Sequence, residues 1–297
     1  MADPTRGTLL GDIGATNARF AVLADGKLGP ISWLKVAQYP AFADALSEYL
    51  GRGNTTFSTA LLAVAGPVED GLCTLTNRAW TIDECDLRDR FKFEAVHLLN
   101  DFAATALSLS QLTEHDVYRI GDGEMSSGTM MAVLGPGSGL GVAGFLPGNP
   151  GRVVTSEGGH ATVATVSHRE EAVIDYLRTR FGHVSAERVI SGPGLENLYG
   201  AIIAIDGVKA PLRHAAGITE AALKGTCPTA QAALDMFCAM LGTFAGNVAL
   251  SFGARAASSS PAASHRASPI TWRARNSVAG SNAKDDSRPM LSPFRQA

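Results

Sequence analysis

The sequence predicts an α/β fold built from two related halves, each organised on a mixed sheet, and three observations carry that reading. First, Thr8 to Asp25 (TLLGDIGATNARFAVLAD) and Leu134 to Ala143 (LGPGSGLGVA) share one plan: apolar strand, glycine turn with a hydroxyl, apolar strand. Second, strand and helix patterns alternate after the first three strand-like runs, as in sheets covered by helices. Third, a buried strand-like run stops at Asn100-Asp101, and the carboxyl ends of such strands are where open α/β sheets bind ligands.

In a dinucleotide fingerprint or a P-loop the glycine turn leads into a helix that holds phosphate. Here Asn17 to Asp25 continues as small and β-branched residues, so the first turn joins a hairpin. Gly11 and Gly14 are expected to take positive φ and to let the backbone approach a ligand. Thr16 and Asn17 add donors, and Asp12 is placed to hold a metal ion or a phosphate-bound water. That makes a phosphate cradle; a glycine turn with a capping aspartate and no ligand is the plainer alternative.

Lys27 to Lys35 supplies a third strand, and Ala41 to Leu50 a short helix with apolar residues at helical spacing. Thr59 to Gly66 (TALLAVAG) reads as a buried strand, Leu72 to Thr76 as a strand returning to the sheet, and Phe93 to Leu99 as the next strand. Phe102 to Leu112 follows as a helix. Asn100-Asp101 suits its N-cap, which is compatible with Asp101 also facing a cleft.

The second strand-rich block runs from Thr129 to Val154 around the second glycine turn. Two such loops grip a nucleotide's phosphate tail from two sides through backbone N–H groups. In Ser156 to His160 (SEGGH), Glu157 and His160 stand three apart on a glycine turn, so both side chains can point at one small ligand. A zinc half-site would need further His or Cys at ligand spacing, which is lacking. A polyol fits better, because the carboxylate accepts from one hydroxyl while imidazole donates to or accepts from another. Arg169 to Phe181, Ser185 to Ile190 and Pro193 to Ile203 read as helices, with Ser185 as a cap and Glu187 in the first turn behind it. Thr219 to Lys224 and Thr229 to Phe252 complete the set, the latter with a stripe from Leu234 to Phe252 that marks a packing helix.

A length of 297 residues, 45% of them hydrophobic and 18% charged, fits about two globular domains. A net charge of -3 gives no basic footprint, which argues against nucleic acid and anionic membrane as partners. The first ten residues lack a signal-peptide pattern, and the longest uncharged run, Gly128 to Arg152, is broken by glycines and prolines rather than forming a membrane span. Cys73, Cys85, Cys227 and Cys238 are too scattered for a metal site and read as reduced structural thiols of a cytoplasmic protein.

Taken together, LLGDIGATNARF, HLLNDFAATALSL, GPGSGLGVA, SEGGH and GHVSAERVISGPGLENLY, in this order over Leu9 to about Gly253, resemble bacterial glucokinases of the actin-like sugar kinase superfamily. The resemblance implies a two-lobed actin-like ATPase (ribonuclease-H-like) fold, with residues 1–108 and 109–253 as small and large α/β lobes that close on glucose and ATP. It implies Asp101 as the general base for the sugar 6-hydroxyl, and Asn100, Glu157, His160 and Glu187 as hydrogen-bonding partners of the other hydroxyls. Gly11, Asp12, Ile13, Gly14, Ala15, Thr16 and Asn17 form the first phosphate motif; Gly135, Gly137, Ser138 and Gly139 belong to the second, which ends at Gly141. Mg2+ is expected to arrive with ATP beside Asp12, and a cytoplasmic homodimer is the expected assembly.

The pattern stops after Gly253. Residues 254–297 contain Ile270, Val278 and Leu291 as their only Val, Ile or Leu, and seven basic against two acidic residues, +5, where residues 1–253 carry -8. So little apolar surface does not offset the entropy of ordering, so this tail is expected to be disordered. It also reads as a frame-shifted copy of what the family would place there, an adenosine-binding turn of the form GG-apolar-apolar-apolar-AGG and then helices. With permitted codons for Ala256 to Trp272, one added G turns AASSSPAASHRASPITW into GGVFIAGGIAPRFADYL. The expected consequence is a chain that keeps its sugar residues but turns over poorly; a non-catalytic sugar-binding or regulatory remnant is the alternative.

Overall fold

The computed structural model describes residues 7–52, 56–75, 80–113, 116–117, 128–254 and the backbone of 256–259. It divides into two compact units between Ala104 and Thr105.

In the first unit β1 (Gly7–Ile13) and β2 (Asn17–Ala24) form the predicted antiparallel hairpin. The expected third strand is two pieces, β3 (Lys27–Leu28) and β4 (Ser32–Lys35), both paired with β2 and separated at Gly29-Pro30. Proline has no N–H for the ladder, so the strand breaks there. After α1 (Phe42–Gly51), β5 (Phe57–Val64) joins β1 in parallel. The strand expected to return to the sheet at Leu72 does not: β6 (Leu72–Thr74) pairs only with β7 (Thr81–Asp83), and Thr76 lies outside the described residues. α2 (Glu84–Phe91) was not legible, because it buries Leu87 alone; Asp83 starts it by accepting from the Cys85 and Asp86 N–H groups. β8 (Ala95–Asn100) lies parallel to β5, and α3 (Asp101–Ser108) follows directly.

The resulting sheet has the order β3-β2-β1-β5-β8. Alternation sets its buried face: Leu9, Ile13, Phe20, Leu62, Val64 and Leu98 pack with Phe42, Leu46, Trp80 and Leu87 in one cluster. That cluster fixes where β8 ends.

The second unit repeats the plan. β9 (Met131–Pro136) and β10 (Leu140–Leu146) form a hairpin, and β11 (Arg152–Ser156) extends it. α4 (His168–Phe181), α5 (Gly192–Asp206), α6 (Ala215–Leu223) and α7 (Pro228–Phe252) follow, and β12 (Ala256–Ser259) returns beside β9 in parallel. The order β11-β10-β9-β12 matches the first unit through its hairpin and parallel neighbour. SAERVI is not a full helix: only Ala186–Arg188 turns, as a 3-10 helix, and the Ser185 side chain does not cap it. Val189 and Ile190 are drawn into the core there, and Ser191 instead caps α5 through the Gly194 N–H, 2.9 Å away.

α7 is long and apolar enough to cross a membrane by length and composition alone. It is the core helix of its unit, packed on α5, α6 and β9, with Leu234, Leu241 and Val248 buried. All four cysteines are free thiols, and burial pushes Cys238 up to about 11. Part of the tail expected to be disordered forms β12; residues 260–297 lie outside the described residues.

Candidate active site

In the first unit the β1–β2 turn is closed by the Gly14 N–H donating to the Asn17 carbonyl at 3.0 Å, which leaves Thr16 exposed at the tip. Gly11 and Gly14 do not take the positive φ expected of them. Gly11 is required for a different reason: a Cβ there would stand 2.6 Å from the Leu62 side chain of β5. Its bare face lets two strands pack closely. Gly14 is under no such constraint: a Cβ there would meet only the Asn17 carbonyl, at ordinary contact distance.

Asp12 faces Arg19 across the hairpin, and the two form an ion pair. The Arg19 guanidinium also lies over the Trp33 ring, 4.3 Å from its centre, while its Nε is buried without a partner among the described residues. Arg19 was missed in the sequence, although its signal was available. Once the turn is set at Gly14 to Asn17, Asp12 and Arg19 must be opposite each other.

At the carboxyl end of β8, Asn100 does the capping. Its Oδ1 accepts from the Phe102 and Ala103 N–H groups at 3.0 and 3.1 Å, and its Nδ2 donates to the Gly66 carbonyl at 3.1 Å. Asp101 is half-buried in the first turn of α3, with Oδ1 accepting from the Phe102 N–H at 2.9 Å. The strand end is thus rigid, because Asn100 ties β8, the loop after β5 and α3 together.

In the second unit the Gly137 N–H donates to the Gly139 carbonyl at 2.8 Å, closing a tight turn between β9 and β10 with Ser138 exposed. Glu157 and His160 come together as expected: His160 Nε2 stands 3.9 Å from Glu157 Oε2, with both side chains more than half exposed. Gly159 is the reason that the turn can sit where it does, since a Cβ would overlap the Leu140 carbonyl oxygen of β10. Glu187 accepts from the Leu140 N–H at 3.0 Å. A cavity of about 380 Å³ opens beside this turn, lined by Ser156, Gly158 and Thr162 and by Thr243, Asn247 and Phe252 of α7. Gly159→Ala is expected to lower the melting temperature by about 5 °C or more, as about 2 kcal/mol of backbone displacement implies for a domain of this size; an unchanged melting curve would refute the close packing.

Among the described residues no group of three or more His, Cys, Asp or Glu could cage a metal ion. Asp12 offers a single carboxylate, a donor set that fits an ion that keeps most of its waters rather than one caged by the protein.

The sequence model of the glucokinase family matches residues 9–257. The glucokinase of Nitrobacter hamburgensis is 41% identical over 250 residues, 83% of this chain and 78% of that protein. The crystal structure of glucokinase from an Antarctic psychrotroph superposes with a TM-score of 0.74 at 33% identity, covering 86% of this chain and 83% of that one. A ROK family glucokinase from Streptomyces griseus, solved with glucose and AMPPNP, shares the fold at 18% identity and a TM-score of 0.56, over 83% and 80% of the two chains.

Proposed function

The chain belongs to the glucokinase family, and from that premise we propose that its described residues divide the phosphorylation of glucose by Mg2+-ATP between an acid–base unit and a hydroxyl-binding unit. The observation that carries this reading is the pairing of Glu157 with His160 at 3.9 Å on a turn that only glycine permits. A carboxylate and an imidazole held open side by side match adjacent sugar hydroxyls. Glu187 takes a third hydroxyl. Asn100 acts chiefly by fixing the position of Asp101, since its carbonyl oxygen is already committed to capping α3.

Asp101 is the general base. Phosphoryl transfer asks little covalent chemistry of a protein, so positioning the hydroxyl, accepting its proton and stabilising phosphate charge suffice. The sugar 6-hydroxyl gives its proton to the Asp101 carboxylate as its oxygen attacks the γ-phosphorus, and ADP leaves. The Gly14 and Gly137 N–H groups close the two turns, so the N–H groups of Ala15 and Thr16 and of Ser138 and Gly139 hold phosphate oxygens. Mg2+ bound to the nucleotide supplies charge neutralisation, with Asp12 as the carboxylate beside it. Arg19 holds that carboxylate in place through their ion pair.

The composition of residues 254–297 favours a further statement: glucose binding survives in this chain, while turnover is low. Calorimetry should show glucose binding, and a coupled assay with Mg2+-ATP should show slow turnover. His160→Ala is expected to weaken glucose binding about tenfold or more, the loss of one or two hydrogen bonds to a sugar. Unchanged affinity in that variant would remove the hydroxyl-binding assignment.

A further inference from the structure

The second glycine turn and the hydroxyl-binding residues are physically one assembly, and Leu140 is where they join. Its N–H donates to Glu187 Oε2 at 3.0 Å. Its carbonyl oxygen faces Gly159 so closely that no side chain fits there. Three residues earlier, the Gly137 carbonyl accepts from the Gly192 N–H at 2.8 Å, at the start of α5. The segment carrying Glu187 is held in turn, because Ser191 Oγ donates to the Glu187 carbonyl at 2.7 Å. A Cβ on Gly139 would stand 2.5 Å from Glu187 Oε2. The turn that the fold offers to phosphate therefore touches the carboxylate that it offers to sugar.

We propose that Glu187 is a coupling residue: the Leu140 N–H of the phosphate turn orients its carboxylate for a sugar hydroxyl, so that occupation of either place changes the affinity of the other. This rests on the reading of Glu187 as a sugar contact given above. One carboxylate oxygen is fixed by Leu140, which leaves the other to accept from a hydroxyl, and a pre-oriented acceptor loses less freedom on binding than a free one. Any shift of the turn on meeting phosphate moves Oε2 with it. Because coupling of binding free energies is reciprocal, glucose must tune the turn as strongly as phosphate tunes glucose binding.

Gly139→Ala in the full chain tests this directly. Its φ is not in the left-handed region, so the backbone accepts alanine, and the added methyl displaces the Glu187 carboxylate without altering Glu187. Glucose affinity measured by calorimetry without nucleotide is expected to fall about tenfold. Gly200→Ala, which puts the same methyl into open space on α5, is expected to leave that affinity within about twofold. Wild-type glucose affinity in the Gly139 variant overturns the coupling. Glu187→Ala separates this failure from failure of the sugar reading: if it leaves glucose affinity intact, Glu187 is no sugar contact at all. A measurement on the unaltered chain covers the case in which Gly139→Ala does not fold. The Leu140 amide resonance is expected to shift on saturation with glucose alone, and a stationary Leu140 signal while those of Glu157 and His160 move overturns the proposal.

Discussion

Restoring one base before the Ala256 codon is expected to raise kcat/KM for Mg2+-ATP at least about a hundredfold over this chain, equivalent to about 2.7 kcal/mol of transition-state binding. The physical case comes from the repeat within the fold. In the first unit β5 lies parallel to the hairpin strand β1 and buries Ala60, Leu62 and Val64 completely. In the second unit β12 takes the corresponding place, parallel to β9, with the sequence Ala-Ala-Ser-Ser. Those residues offer little apolar surface. The alternative frame reads GGVFIAGG at this point, which matches the ALLAVAG of β5 in pattern, and each of its Val, Phe and Ile side chains contributes about 1.5–3 kcal/mol when buried. The first sheet continues past β5 to β8, whereas in the second no strand among the described residues lies beyond β12.

The comparison also has a stability readout. At about 2–4 °C per kcal/mol for a unit of this size, the frame-restored protein is expected to melt about 10 °C or more above this chain. Intact mass, with resequencing across the Arg255 codon, establishes which frame is made. Equal ATP kinetics and equal melting in the two proteins would show that residues 254–297 as written complete the unit.

Most of what positions the candidate site was legible, and the reason is periodicity. Apolar runs at spacing two, broken by glycine, fix the two hairpins, because a register slip would turn Leu9, Ile13 and Phe20 out of the core. Glu157 and His160 were legible together because three residues with two glycines leave few ways to separate them. What escaped depends on contacts between segments distant in sequence. The local pattern marks Gly11 as a ligand-facing glycine, whereas the side chain that a Cβ there would crowd belongs to Leu62, fifty-one positions away. Glu187 is held by Leu140 across forty-seven positions, and no local pattern reports that. α2 escaped for the opposite reason: almost wholly polar, it is anchored by Leu87 and its Asp83 cap. β12 escaped because strand pairing along β9 needs backbone groups and no particular side chains.

The same separation of backbone from side-chain roles decides what Asp101→Asn should do. Asn100 already accepts from the Phe102 and Ala103 N–H groups, so α3 keeps its start when Asp101 becomes an amide. The amide oxygen still accepts from the Phe102 N–H, as Asp101 Oδ1 does now. The substitution therefore removes a proton acceptor and leaves the shape of the strand end. A positioned general base contributes about 10²–10⁴ in rate, and kcat is expected to fall by that factor with glucose affinity kept within about threefold. The measurement belongs in the frame-restored protein, where the starting rate is high enough to follow such a loss. Equal falls in kcat and in glucose affinity would assign Asp101 to sugar binding alone, and retained kcat would move the proton acceptor to another residue. Asn100→Ala gives the complementary outcome: with the cap and the tie to Gly66 lost, both the melting temperature and kcat should drop, because Asp101 is present but no longer held.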